Sequence, residues 1–188
     1  EEFLECVPEC VLVVLDGAYY EYAVNPDYPR SVEYLRAGWQ NLIVLRSFSK
    51  VYGLAGLRVG CMLASEKVVD YVEHARQPFN VNRLAQVAAL AALDDDEHVR
   101  RSVEANETAK DFFYRELVAL GLRYIPTHTN FMAIDVGRPG IEVSKLLLER
   151  GFITTALDGW GVPSHIRFSF GTPEENKAFI AALKEIVI

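Results

Sequence analysis

Three residues of this chain have types and spacing suited to covalent chemistry: Asp16, Lys50 and Arg58. Asp16 directly follows the apolar run Val11–Leu15 and precedes Gly17-Ala18-Tyr19. A carboxylate at the end of an apolar strand is costly to bury alone and calls for a cationic or protonated partner. Lys50 closes Ser47-Phe48-Ser49-Lys50, just after the apolar segment Asn41–Leu45. Partial desolvation or a nearby cation lowers the pKa of an amine there, making it a nucleophile able to form a Schiff base. Arg58 follows eight residues on, inside Gly53-Leu-Ala-Gly56-Leu57-Arg58-Val59-Gly60. Glycines allow close backbone approach, and a guanidinium fork suits a phosphate. The glycine order matches neither the dinucleotide fingerprint nor the nucleoside-triphosphate loop. Singly, each feature also suits a bland role: a turn cap, a loop lysine, a Gly-rich turn with a solvent-facing arginine. Together they describe a ligand with a cationic ring, an aldehyde and a phosphate, which is the chemistry of pyridoxal phosphate.

The elements that must hold these residues alternate along the first half of the chain. Val11–Leu15 and Asn41–Leu45 are continuously apolar, the pattern of parallel strands buried on both faces. Ser31 is placed to cap a short helix through Trp39, and Ser65 to cap another through about Arg76. Val59–Ala64 is a third short apolar segment between them. Pro78 breaks the chain before a small-residue helix, Leu84 to Leu93. A long amphipathic helix runs from Glu97 to about Leu120 and is closed by Gly121. The texture then changes. Leu122–Ile125, Phe131–Val136, Phe152–Thr155 and Ile166–Phe170 read as strands. A helix over Ile141–Arg150 is stopped by Gly151, and a last helix starts at Pro173 with Glu174 and Glu175 near its positive end. An alternating α/β segment is thus followed by an α+β segment. In open parallel sheets ligands bind at the C-terminal strand ends, which is where Asp16 and Lys50 fall.

The motif Ser47-Phe-Ser-Lys50-Val-Tyr-Gly-Leu-Ala-Gly-Leu-Arg58-Val-Gly60 resembles the cofactor-lysine motif of class I/II aminotransferases of fold type I. Asp16-Gly-Ala-Tyr19 is similar to that family's aspartate–tyrosine motif. Thr129-Asn130-Phe131 and His165-Ile-Arg167-Phe-Ser-Phe-Gly171-Thr-Pro-Glu-Glu175-Asn176 resemble its C-terminal domain. The resemblance covers essentially the whole chain and points to the histidinol-phosphate aminotransferase branch. It implies an α/β chain: part of the fold-type-I large domain, mostly parallel sheet, over residues 1–95. A connecting helix would follow over 96–120 and a small α+β C-terminal domain over 121–188. It implies that Lys50 forms the Schiff base with pyridoxal 5'-phosphate and moves the proton, while Asp16 pairs with the ring nitrogen. Tyr19 would hydrogen-bond the phenolic oxygen, and Ser47, Ser49 and Arg58 would bind the phosphate. Arg167 would take the substrate carboxylate or another anionic group, with Asn130 as a support beside it. No metal is implied. The partners implied are an amino donor, a 2-oxoglutarate-like acceptor and a second copy of the chain.

Two residues depart from the family pattern. Gly17 stands where the family often has Glu. Thr155 stands where many histidinol-phosphate enzymes have an arginine that helps hold the substrate phosphate, so an aromatic or other amino acid also fits as donor. The first half of the family fold has no counterpart in the fifteen residues before Asp16. The chain therefore reads as a second half. Two alternatives follow: a catalytically incomplete fragment, and a decarboxylase of amino-acid phosphates from the same family.

Composition sets the outer bounds. The chain has 188 residues, 51% apolar and 24% charged, as a folded protein does. Its 19 basic against 26 acidic residues give a net charge of -7, which argues against general binding to nucleic acid or anionic membranes. No apolar run is long enough to span a bilayer, and no signal peptide opens the chain. Three cysteines and four scattered histidines form no zinc or disulfide pattern, so a cytoplasmic, reducing compartment is expected.

Overall fold

The structure is a computed structural model that describes residues 1–187. The chain divides into two compact units, residues 1–100 and 101–188.

The first unit holds a three-stranded sheet in the order β1 (Val13–Asp16), β2 (Leu42–Ser47), β3 (Gly60–Ala64). Helix α1 (Glu2–Cys6) precedes β1, and α2 (Ser31–Arg36) lies between β1 and β2. Helices α3 (Glu66–Ala75) and α4 (Arg83–Leu93) follow β3. β1 and β2 are parallel, with Asp16 opposite Leu45, as the apolar runs predict. β3 instead returns antiparallel, pairing Ser47 with Gly60 and Arg46 with Cys61. The Lys50 segment is therefore one long excursion between two hydrogen-bonded strand ends. Gly60 is needed at its close, because a Cβ there would lie 2.8 Å from the Arg46 carbonyl oxygen.

Burial on both faces does not hold for β1. Val13 packs with Leu4, Leu42 and Val44, but Val14 is 54% exposed, and Val11 and Leu12 lie outside the strand and exposed. Side chains alternate along a strand, so covering one face from α1 and α2 leaves every second residue open. The serine caps also differ from expectation. Ser31 is the first helical residue of α2 and its hydroxyl accepts from Arg46. Ser65 stands at the cap position of α3, but its hydroxyl donates to the Gln40 carbonyl. The side chain that does cap is Asn82, which accepts from Ala85 N–H at the start of α4.

The second unit contains a four-stranded antiparallel sheet. Its order is β4 (Arg123–Ile125), β5 (Phe131–Asp135), β7 (His165–Ser169), β6 (Thr155–Ala156). Helix α5 (Asp96–Ala119) leads into it, α6 (Gly140–Glu149) connects β5 to β6, and α7 (Pro173–Val187) closes it. β6 is a two-residue pairing, shorter than the Phe152–Thr155 strand expected, because Phe152 instead packs into the core against Phe179. Alternation is clean in β5 and β7. Met132, Ile134, Ile166 and Phe168 face a core built with Phe113, Leu147, Phe179 and Leu183 from the helices. α7 begins with a reciprocal cap in which Glu175 accepts from Thr172 N–H and Thr172 hydroxyl accepts from Glu175 N–H.

Candidate active site

The two parallel strands of the first unit end side by side, and their last residues carry the polar groups. Asp16 is the final residue of β1; its carboxylate accepts from Ala18 N–H at 3.0 Å, which folds the chain into the Gly17–Tyr19 turn. Among the described residues no cation pairs with it. Ser47 is the final residue of β2, and its hydroxyl oxygen accepts from Ser49 N–H at 3.0 Å. The hydroxyl proton of Ser47 is left to donate elsewhere. Arg58 adopts a left-handed backbone, φ 57°, and spends one N–H on the Ala55 carbonyl. Asp16, Ser47, Ser49 and Arg58 line one open cleft of about 500 Å³, with Gly60 and Cys61 beside them. A carboxylate, two hydroxyls and a guanidinium fork thus face the same space.

Lys50 follows this cleft rather than lining it. Its ammonium lies over the Tyr19 ring, 4.8 Å from the centroid, and forms no hydrogen bond or ion pair among the described residues. The loop that carries it is tied at two points: Gly53 N–H donates to the Lys50 carbonyl at 2.9 Å, and Val51 carbonyl meets His98 Nε2 at 2.9 Å. The resulting site has an amine held against an aromatic face, with an acid at one strand end and phosphate-type donors at the next.

Sequence reasoning did not single out Arg46, His98 or Cys61. The Arg46 guanidinium stacks 4.0 Å over the Tyr20 ring and donates to the Leu45 carbonyl and the Ser31 hydroxyl. Its only sequence signal is a charge interrupting the apolar β2 run. Burial pushes the Cys61 thiol pKa up, Arg46 opposes that and Glu21 adds to it, so the thiol beside the cleft stays protonated. Burial likewise raises the Tyr52 hydroxyl, with Glu21 the next cause.

Arg167 and Asn130 belong to the second unit. Arg167 sits mid-strand in β7 on the exposed face, between Ala133 of β5 and Thr155 of β6. Its guanidinium lies 4.9 Å from the Phe131 ring and has no hydrogen-bond or ion-pair partner among the described residues. Asn130 precedes β5, and its carbonyl accepts from Phe170 N–H at 3.0 Å, which ties the start of β5 to the end of β7. The Thr129 carbonyl before it accepts from buried Asn106. Among the described residues, no group of three or more His, Cys, Asp or Glu is placed to hold a metal. No helix is long and apolar enough to cross a membrane.

Fold and site together define a class: α/β proteins that present a reactive lysine and phosphate donors at adjacent parallel strand ends. Comparison with known proteins narrows this. The sequence model of aminotransferase class I and II matches residues 1–183. The chain belongs to that family. It is 48% identical over 185 residues to histidinol-phosphate aminotransferase of Moorella thermoacetica, covering 98% of this chain and 48% of that protein. The crystal structure of histidinol-phosphate aminotransferase from Sinorhizobium meliloti, in complex with pyridoxal-5'-phosphate, superposes with TM-score 0.83 at 29% identity. That match covers 99% of this chain and 51% of the other. A chain from Erwinia carotovora superposes with TM-score 0.92 at 24% identity over 99% of this chain and 54% of its own, which shows the shared fold. The α/β architecture is that of fold-type-I aminotransferases. The chain spans about half the length of the curated relatives it matches.

Proposed function

We propose that this chain is the lysine-bearing part of a pyridoxal-phosphate-dependent aminotransferase that exchanges an amino group between an anionic amino donor and a 2-oxo acid. One observation carries the reading: Asp16, Ser47, Ser49 and Arg58 share one cleft, next to a Lys50 ammonium held against Tyr19, in a member of the aminotransferase family. The donor set fits the cofactor. Ser47, Ser49 and Arg58 would hold its phosphate, Asp16 its protonated ring nitrogen and Tyr19 its phenolic oxygen. When bound, pyridoxal phosphate supplies an aldehyde for an amine and a ring that accepts electrons from the substrate α-carbon. Lys50 binds through its amine and, once displaced by the donor, takes the α-proton and returns it. Asp16 keeps a proton on the ring nitrogen by offering a negative charge. Arg167 orients the substrate by a guanidinium–anion pair. Residues 1–95, 96–120 and 121–188 act on this reading as large-domain part, connector and small domain.

The relatives' name favours histidinol phosphate as donor and a place in histidine biosynthesis. A second reading has its own support. Thr155 lies directly across from Arg167 in the ladder, so the arginine has a neutral neighbour on its face. That favours a carboxylate donor, aromatic amino acids among them, over a phosphate dianion. A cytoplasmic setting suits three exposed free cysteines, and pairing of two copies suits the apolar face of α4, where Leu84, Val87, Leu90 and Leu93 are exposed.

The experiment is a titration of the purified chain with pyridoxal phosphate, followed by absorbance. A visible band should form in the wild type and be lost in Lys50→Ala. A folded chain with no such band, or a band that survives Lys50→Ala, would remove the lysine from its role. Incubation with histidinol phosphate or tyrosine plus 2-oxoglutarate then separates the donors, and released carbon dioxide would mark a decarboxylase.

A further inference from the structure

Arg46 stands four residues before Lys50 in sequence, yet its side chain points to the turn after β1. The guanidinium has three contacts there. One nitrogen donates to the Leu45 carbonyl at 3.1 Å, another donates to the Ser31 hydroxyl at 2.9 Å, and the plane stacks 4.0 Å over the Tyr20 ring. The same Leu45 carbonyl accepts Gly17 N–H at 3.0 Å, so one oxygen joins strand end, turn and arginine. Ser31, the middle anchor, is 6% exposed. Arg46 also occupies the space that a side chain at residue 17 would need. A Cβ on Gly17 would lie 1.9 Å from Arg46 Nη1 and 2.9 Å from the Leu45 carbonyl oxygen. Gly17 has an ordinary backbone conformation, so the need for glycine comes from this neighbour and not from φ.

We propose that Arg46 is a positioning residue for the Asp16–Tyr19 turn, and that Gly17 is glycine because the arginine must lie across it. Asp16 opens the turn and Tyr19 closes it; Tyr20 N–H donates to the Gly17 carbonyl and Tyr22 N–H to the Tyr19 carbonyl. A guanidinium fork that bonds two oxygens and stacks on a ring fixes this turn in three directions, which a lysine's point charge cannot do. The inference rests on the proposed function only in taking Asp16 and Tyr19 as cofactor residues.

The test compares Arg46→Ala, Gly17→Ala, their double variant and Arg46→Lys in the full chain. Amide hydrogen exchange is read at Gly17, Tyr20 and Tyr22, with Leu42–Val44 as the reference for intact folding. Each single alanine variant should speed exchange in the turn about tenfold, the loss expected for hydrogen bonds to a charged donor, and leave the reference amides unchanged. The double variant should be no faster than either single one, because both changes empty the same seat. Arg46→Lys should behave as Arg46→Ala. Additive effects, full protection in Arg46→Lys, or turn exchange that stays at the wild-type rate would overturn the proposal. Pyridoxal phosphate titration of the same variants should show an apparent affinity weakened about tenfold. Unchanged affinity alongside faster turn exchange would deny that the turn positions cofactor residues. If the wild type takes up no cofactor through Lys50 while the exchange pattern holds, the proposed function fails and the Arg46 seat stands.

Discussion

At Asp135, on the exposed face of the second sheet, burial pushes the carboxyl pKa up, but three donors pull it down further. These are Gly137 N–H, Ser164 and the Arg123 guanidinium, and the net pKa lies below the ordinary value. A depressed folded-state pKa stabilises the fold above the unfolded value, about 3.9, and the contribution is lost as pH falls through that range toward the folded value. Asp135→Asn should therefore lower the melting temperature at pH 7, with the gap to wild type closing below about pH 4. A gap that stays constant with pH in thermal melts would exclude this account. The same scale separates what residue types reveal from what they hide. Asp16, Ser47, Lys50 and Arg58 stand out because a charged or hydroxyl group at the end of an apolar run is conspicuous. Arg46 and His98 escape notice because their value lies in partners far along the chain: His98 meets the Val51 carbonyl 47 residues away.

At the scale of elements, α5 is the clearest case of a helix placed by its packing. Its mean composition is polar, yet Phe113 and Leu117 are fully buried. Phe113 touches Phe168, Phe170 and Phe179 with ring centroids 5.3–6.0 Å apart. Lys110, one turn before, is buried with its ammonium on Glu107 at 2.8 Å, which compensates the cost of covering the charge. Phe113→Ala should destabilise the second unit by roughly 3–5 kcal/mol, read from chemical denaturation. A loss below about 1 kcal/mol would mean the aromatic cluster collapses to fill the gap. Helices were legible in the sequence to within a few residues, because caps and period are local. Strand direction was not. The apolar segment Val59–Ala64 carries no mark that β3 runs against β2, and that reversal brings Gly60 beside Ser47.

At the scale of the whole molecule, the two units differ in how much core each owns. The cluster in the second unit contains fourteen buried residues, against four in the cluster around β1 and β2, among the described residues. Hydrophobic stabilisation grows with buried area, so the second unit should hold its amides longest. Hydrogen exchange of the isolated chain should show greater protection in β5, β7 and α7 than in β1 and α4; equal protection would mean that the first unit gains stability from elsewhere. The exposed Val14 and the apolar face of α4 also predict association that grows with concentration, measurable by light scattering and reduced by Leu90→Glu. The sequence by itself determined the α/β and α+β order of the elements, the helices and the identity of the strand-end groups, because period, caps and charge placement act over a few residues. Only the tertiary structure decided that Asp16 and Arg58 share a cleft, that Thr155 faces Arg167, and that Arg46 lies across Gly17. Each of these depends on strand register and direction, which bring together residues whose separation along the chain carries no local signal.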